Sequence, residues 1–181
     1  MIIATGNTIV LRDWLDTDFL TYKNWHHQKF EWTKLNGPYY PIKSLAELDK
    51  EIEYLKIDSK KKKRIVIADK NTNHLIGTVS WYWQSEETHW ISVGLAIFDN
   101  SFWGKGIGQE ALALWTSYLF SIFPKIVRLD LRTWSGNMGM IKLAEKLGFK
   151  KEAIFRKARI VNGAYYDALA YGILRDEWKN R

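Results

Sequence analysis

Apolar and polar positions along the chain switch between a period of two and a period near 3.6, and the switches outline the elements. Thr8-Ile9-Val10-Leu11-Arg12 opens as a first strand. Asp16-Thr17-Asp18 then supplies an N-cap, after which Phe19, Tyr22 and Trp25 recur at helical spacing. Ser44-Leu45-Ala46-Glu47 is a capping box, in which serine and glutamate satisfy each other's backbone N–H groups, and the helix behind it carries Leu48, Ile52 and Leu55 on one face. Ile65-Val66-Ile67-Ala68 and residues 75–82 are strands joined by the hairpin signal Asp69-Lys70-Asn71-Thr72-Asn73, and residues 89–98 form the next strand.

Leu112, Leu114, Trp115, Tyr118, Leu119 and Phe123 give a helix with an apolar surface wide enough to lie on a sheet, stopped at Pro124. Ile126-Val127-Arg128-Leu129-Asp130-Leu131-Arg132 alternates, with Val127, Leu129 and Leu131 on one face. Gly136-Asn137 caps a helix that runs through Leu147 and ends at Gly148. Residues 153–161 and 164–174 flank Asn162-Gly163, the preferred type I′ dipeptide, so the chain closes with a β-hairpin. The order β-α-α-β-β-β-α-β-α-β-β predicts an α/β fold: a mixed sheet of about seven strands flanked by helices. No stretch has the composition of a linker, so residues 1–181 are expected to form a single domain.

Between the strand at 89–98 and the long helix, Asp99-Asn100-Ser101-Phe102 leads into Trp103-Gly104-Lys105-Gly106-Ile107-Gly108. Three glycines at alternate positions remove the Cβ atoms that would hold a ligand off the backbone, and the helix they open offers unpaired N–H groups and a partial positive charge. That chemistry cradles a phosphate. The same residues also serve a plain, tight strand-to-helix connection. A dinucleotide fingerprint would place G-x-G-x-x-G after the first strand with an acidic residue about 20 positions on, and a Walker loop would end in Gly-Lys-Ser/Thr. The glycines here follow the fourth predicted strand and run into Gly108-Gln109-Glu110, so neither applies.

Composition narrows the chemistry. The chain has no Cys, which excludes disulfides, thiolate metal sites and a Cys nucleophile and fits a reducing compartment. Its net charge of +7 favours anionic ligands: nucleic acid, acidic surfaces or a phosphorylated cofactor. The run Lys60-Lys61-Lys62-Lys63-Arg64 reads either as a nucleic-acid contact or as a solvated loop between a helix end and a strand. His26-His27, in an aromatic stretch at residues 25–41 that is expected to be a loop or broken helix, reads as a solvated pair or as metal ligands without partners at ligand spacing; no metal site is expected. The start lacks a basic region followed by an apolar run, and residues 111–123 are too short and mixed to span a bilayer, so a soluble, cytoplasmic protein is expected.

Strand, glycine turn, helix, strand, Asn137, helix, Lys146-Leu147-Gly148-Phe149 and terminal hairpin, in that order, resemble the GNAT family of acyl-CoA N-acetyltransferases. Within it the chain is most similar to the ribosomal-protein N-terminal acetyltransferases of the RimJ/RimL type. Phe102-Trp103-Gly104-Lys105-Gly106, Lys150-Lys151-Glu152 after Gly148-Phe149, and Asn162-Gly163 followed by Tyr166-Asp167 and Glu177-Trp178 carry that likeness. It is dense over residues 91–178 and rests on layout alone before them.

The resemblance implies acetyl-CoA as cosubstrate, with its pyrophosphate on backbone N–H groups of Trp103, Gly104, Lys105, Gly106, Ile107 and Gly108. It places the pantetheine arm along Ile97 and Phe98 and gives Asn137 a pantetheine contact, although that residue also reads as a plain N-cap. Trp103 stands where the family usually has Arg or Gln, which leaves neutralisation of the phosphates to backbone dipoles and Lys105. An oxyanion donor is implied among the backbone N–H groups of residues 96–98. As proton acceptors Glu86, Glu87 and His89 stand near the start of the fourth strand and Asp99 near its end, each equally readable as a solvated residue; Tyr166 and Asp167 are further contacts for an amine. Relatives place a Ser three residues after the asparagine, or a Tyr seven after it, to protonate the departing sulfur. Here Met140 and Ala144 occupy those positions, and water or Ser135 must substitute.

The function implied is direct acetyl transfer to a primary amine, on a peptide N-terminus or a small molecule. The alternatives are a catalytically silent acetyl-CoA-binding protein, motivated by Met140 and Ala144, and a basic ribosome- or RNA-associated module, motivated by the net charge. Acetyl-CoA and an amine acceptor are the expected partners; a homodimer is compatible with the reading, nucleic acid is disfavoured and no membrane is expected. Residues 25–40 and Trp81-Tyr82-Trp83 are expected to shape the acceptor pocket.

Overall fold

A computed structural model describes residues 1–58 and 61–179. Its elements are β1 (Ile2–Thr5), β2 (Ile9–Arg12), α1 (Asp16–His26), α2 (Leu45–Asp58), β3 (Arg64–Asp69), β4 (Leu75–Ser85), β5 (Trp90–Ile97), α3 (Ile107–Ile122), β6 (Arg128–Trp134), α4 (Met138–Lys146), β7 (Lys150–Val161), β8 (Ala164–Leu174) and α5 (Arg175–Lys179). Hydrogen bonding orders the strands β1-β2-β3-β4-β5-β6-β8-β7 in an eight-stranded mixed sheet that ends in the expected hairpin. The strand beyond the predicted seven is β1, which pairs antiparallel with β2 across a turn at Gly6. Among the described residues no helix is long and apolar enough to cross a membrane. Lys60 of the basic run lies outside the described residues; within the run, Lys62 pairs with Asp13 at 2.8 Å and Arg64 with Glu51 at 3.1 Å.

Two compact units make up the chain, and the first comprises Met1–Ser80 and Leu95–Trp115. Its core gathers Val10, Phe19, Tyr22, Trp32, Ile52, Leu55, Val66, Ala68, Leu75 and Phe98. The capping box forms as written: Ser44 N–H donates to the Glu47 carboxylate at 2.8 Å and Glu47 N–H to Ser44 Oγ at 3.3 Å, and Leu48, Ile52 and Leu55 are buried. The expected cap on α1 differs. Leu15 is the N-cap, and the Asp18 carboxylate accepts its N–H at 2.7 Å. Asp18 is held there by Arg12, at 2.6 Å and 3.0 Å, with both side chains almost fully buried. Arg12 also donates to the Asn73 side chain at 2.7 Å and carbonyl at 2.8 Å, so the pair is enclosed with its hydrogen bonds made. Where β4 meets the end of β5, Phe98 N–H donates to the Ile76 carbonyl at 2.9 Å, and a Cβ on Gly77 would overlap the Ala96 carbonyl.

The second unit comprises Trp81–Gly94 and the chain from Thr116 onward. Parallel β5 and β6 pair through Ile91 with Leu129 and Ser92 with Asp130. Ser92 donates to the buried Asp130 carboxylate, Trp90 Nε1 does so at 2.9 Å, and burial pushes that carboxyl above its usual range in spite of both donors. Asn137 caps α4 by accepting from Met140 N–H at 3.0 Å. The helix ends in a Schellman pair, Gly148 N–H to Glu145 and Phe149 N–H to Ala144, both at 2.9 Å, with Gly148 at φ 73°. Asn162 and Gly163, at φ 49° and 77°, form the left-handed turn between β7 and β8. Leu129 and Leu131 are buried, but Val127 is 64% exposed, because β6 begins at Arg128, two residues after the start of the apolar run, and Val127 lies before it.

Candidate functional site

The glycine turn grows out of the end of β5. Asp99 accepts from Ser101 N–H at 2.9 Å and opens a single 3₁₀ turn, Asn100–Phe102, and Trp103 N–H closes it on the Asn100 carbonyl at 3.1 Å. The indole of Trp103 folds back so that Nε1 donates to the Ile97 carbonyl at 3.1 Å. Gly104 and Gly106 then take φ values of 72° and 81°, in the left-handed region that side chains rarely adopt. A Cβ built on either would meet nothing within 4 Å, so the backbone here faces open space. The first backbone bond of α3 runs from Glu110 N–H to the Gly106 carbonyl at 3.0 Å, which leaves the amides of Ile107, Gly108 and Gln109 ahead of the helical ladder. Exposed glycine backbone, unladdered amides and a positive helix end fit a pyrophosphate, with the exposed Lys105 beside them.

One turn into α3, Glu110 would set a negative charge near that ligand, but its carboxylate is bound elsewhere. It accepts from the amides of Asn7 and Thr8, the latter at 3.1 Å, and from the Thr8 hydroxyl.

Behind the turn stands an aromatic wall. Phe98 packs against Tyr22, His26 and Trp32 at ring separations of 5.8, 4.9 and 4.9 Å, and Trp25, Phe30 and Trp103 lie against the same cluster. His26 is therefore half-buried against this wall rather than freely solvated. Burial drives its imidazole pKa down from 6.5 to about 4, against the Tyr22 carbonyl and Glu51, which favour the charged ring. The spacing Phe19, Tyr22, His26 places the ring on the apolar face of α1 and is the signal that identifies it. Tyr22 is buried as well, and its hydroxyl titrates well above the usual range.

The residues assigned to the cofactor fall into two groups. Ile97, Phe98 and the six residues of the turn come together in the first unit, although Phe98 contributes a buried ring, its N–H being taken by Ile76. Asn137 lies in the second unit as the cap of α4. Glu86, Glu87 and His89 occupy the exposed turn between β4 and β5, where His89 N–H donates to the Glu86 carbonyl at 3.1 Å and His89 has φ 54°. Hydrogen bonds from its own amide and from Ser85 hold Glu87 below the usual carboxylate range. Ser135 donates its N–H to the Asp167 carbonyl at 2.9 Å and receives Asp167 N–H on Oγ at 3.0 Å. The four candidate catalytic side chains thus all belong to the second unit. Trp81 and Trp83 pack on Phe123 at 5.0 and 5.5 Å, while Tyr82 is exposed.

A mixed sheet whose glycine turn opens a helix offers backbone amides and open space to an anionic ligand. The chain belongs to the GNAT acetyltransferases, whose domain model matches residues 8–150. Members of this family take the acetyl group from acetyl-CoA. The SPbeta prophage-derived uncharacterized N-acetyltransferase YokL of Bacillus subtilis (strain 168) is 29% identical over 113 residues, 62% of this chain and 63% of that protein. The match thus spans just under two thirds of that relative's length. RimL, a ribosomal L7/L12 alpha-N-protein acetyltransferase solved with coenzyme A, superposes with a TM-score of 0.78 at 20% identity, covering 98% of this chain and 99% of that one. Spermidine N-acetyltransferase from Vibrio cholerae, solved with CoA and spermine, gives 0.79 at 21% identity, covering 97% and 100%.

Proposed function

We propose that this GNAT acetyltransferase binds the pyrophosphate of acetyl-CoA on the backbone of residues 103–108 and transfers the acetyl group directly to a primary amine. The open left-handed glycines at the start of α3 carry this reading. The acceptor is a protein N-terminus, as in the RimJ/RimL branch, or a small-molecule amine; the solved neighbours include enzymes of both kinds. Residues 1–181 act as one catalytic domain in the cytoplasm on this reading.

Acetyl-CoA supplies an activated thioester. The chain's part is to hold it, to bring up the amine with its lone pair free, and to move a proton. Trp103 holds the Ile97 carbonyl and so fixes the strand end beside which the thioester would lie. Asn137 would contact the pantetheine arm if it keeps the role the family resemblance gives it. Glu86, Glu87 or His89 receives the amine proton through water, all three lying in a solvated turn that exchanges protons freely. Ser135 keeps its hydroxyl proton for donation, since its Oγ is the acceptor toward Asp167. A thiol with an ordinary pKa near 8.5 leaves tolerably as the anion, so catalysis proceeds without a strong acid.

One observation favours a second reading. Ala144 is fully buried in the core and Met140 has no side-chain donor, so neither expected acid position can protonate the sulfur. A protein that binds acetyl-CoA without turnover would have this arrangement. Calorimetric titration with acetyl-CoA, followed by a free-thiol assay over peptide N-termini and small amines, decides between the two. Binding with thiol release establishes transfer, binding without release over the whole panel establishes the silent binder, and no binding overturns the assignment of the glycine turn.

A further inference from the structure

Two buried polar clusters outside the turn are self-sufficient: Arg12 with Asp18 and Asn73, and Asp130 with Ser92 and Trp90. His26 differs. Its ring stacks on Tyr22 at 3.8 Å and packs against Trp32 at 4.7 Å and Phe98 at 4.9 Å, so its orientation is fixed on three sides. Nδ1 lies 2.7 Å from the Tyr22 carbonyl oxygen, which can only accept, and this contact puts the ring proton on Nδ1. Nε2 is left as a lone-pair acceptor. No described residue hydrogen-bonds to it, and the side chain is half-buried rather than enclosed. A rigid acceptor atom is thus presented at the face of an aromatic wall one ring away from Phe98, the residue that joins β5 to the glycine turn.

The charged groups facing this ring compensate one another. Glu51 on α2 pairs with Lys43 at 2.7 Å and with Arg64 on β3 at 3.1 Å, so no unpaired charge competes for Nε2. What suits the position is a donor with apolar surroundings, and a primary amine is such a donor. The flanking indole and phenyl rings of Trp25, Phe30 and Trp32 also favour a nearby cation before it is deprotonated.

We propose that His26 Nε2 accepts a hydrogen bond from the N–H of the incoming amine and so turns the amine's lone pair toward the thioester. The inference rests on the transfer reading above. Its chemistry balances simply: an N–H···N bond forms while the amine nitrogen remains the nucleophile, and the proton released on acylation leaves by the solvated groups.

The test uses the full chain, its His26→Phe and His26→Gln variants, and phenethylamine as the primary-amine probe. Phe keeps the ring packing without the acceptor, whereas the Gln carbonyl oxygen can reach the place of Nε2. The His26→Phe protein is expected to bind acetyl-CoA as the wild type does and to lose tenfold or more of kcat/KM for the amine, with His26→Gln recovering part of the loss. In the wild type, the Cε1–H resonance of His26, one of four histidines, is expected to shift on titration with phenethylamine at pH 8. Unchanged kcat/KM in His26→Phe, or a His26 resonance unmoved by saturating amine, overturns the proposal. Failure of the wild type to bind acetyl-CoA would strike the transfer reading instead, and the resonance titration, which needs no turnover, would still decide the fate of His26.

Discussion

Lowering the pH from 6.5 toward 4 should destabilise this protein through His26. The ring titrates near 4 in the folded chain because burial opposes its charge, and near its ordinary 6.5 once unfolded. A base whose pKa is depressed by folding contributes stability that is complete above 6.5 and is lost as the pH falls toward 4. At pH 5 the unfolded chain carries nearly a whole proton on this ring and the folded chain about a tenth of one, a difference worth about 2 kcal/mol, rising to about 3 kcal/mol below pH 4. Glu51, Lys43 and Arg64 face the ring, but their mutual pairing persists through this window: Lys43 and Arg64 hold the Glu51 carboxyl below its usual range although burial alone would raise it. Urea unfolding at pH 7.5 and pH 5.0 should therefore show the wild type losing about 2 kcal/mol more than His26→Gln, or about 4–8 °C in Tm for a chain of this size. Equal losses in the two proteins would refute the claim that packing against Tyr22, Trp32 and Phe98 keeps this imidazole neutral.

Other perturbations test other parts of the fold. Gly106→Val places a branched side chain at φ 81°, over the open backbone, and is expected to abolish acetyl-CoA binding in calorimetry while far-UV circular dichroism stays unchanged. Asp18→Ala leaves the Arg12 guanidinium buried without its counter-charge and should cost about 3–5 kcal/mol in chemical denaturation. Gly77→Ala drives a methyl group into the Ala96 carbonyl and should cost about 1–3 kcal/mol, with the larger loss in acetyl-CoA affinity if the end of β5 shifts with it.

The parts of the structure visible in the sequence are those whose chemistry is local. Ser44 and Glu47, Gly148 and the pair Asn162-Gly163 each act within a few residues, and each does in the fold what its spacing implies. The backbone of the glycine turn was legible for the same reason, since the positive φ of Gly104 and Gly106 belongs to those residues alone. What escaped depends on distant partners. Strand β1 is four residues long and gains its place from pairing with β2, while the turn that joins them is tied to Glu110, roughly a hundred positions away. Asp18 looks like a helix cap and is half of a buried ion pair with Arg12. His26 looks polar beside His27, yet its helical spacing from Tyr22 sends it inward and leaves His27 exposed. The candidate catalytic residues were the least legible: the gap between the predicted strands leaves Glu86 and Glu87 in a turn without showing what that turn faces, and His89, expected to begin the strand, lies in the same turn.

Glu110 gives the turn a property that its glycines alone would lack. A carboxylate so close to a helix N-terminus could act as a built-in competitor for the anion the helix attracts. Fastened to Asn7 and Thr8, it acts as a rivet, and a Cβ on Gly6 would strike the same carboxylate. Charge arriving at the glycines would therefore be felt at the far end of that rivet. The amides of Asn7 and Thr8, in the turn between β1 and β2, would then become a gauge of its occupancy, readable by hydrogen exchange.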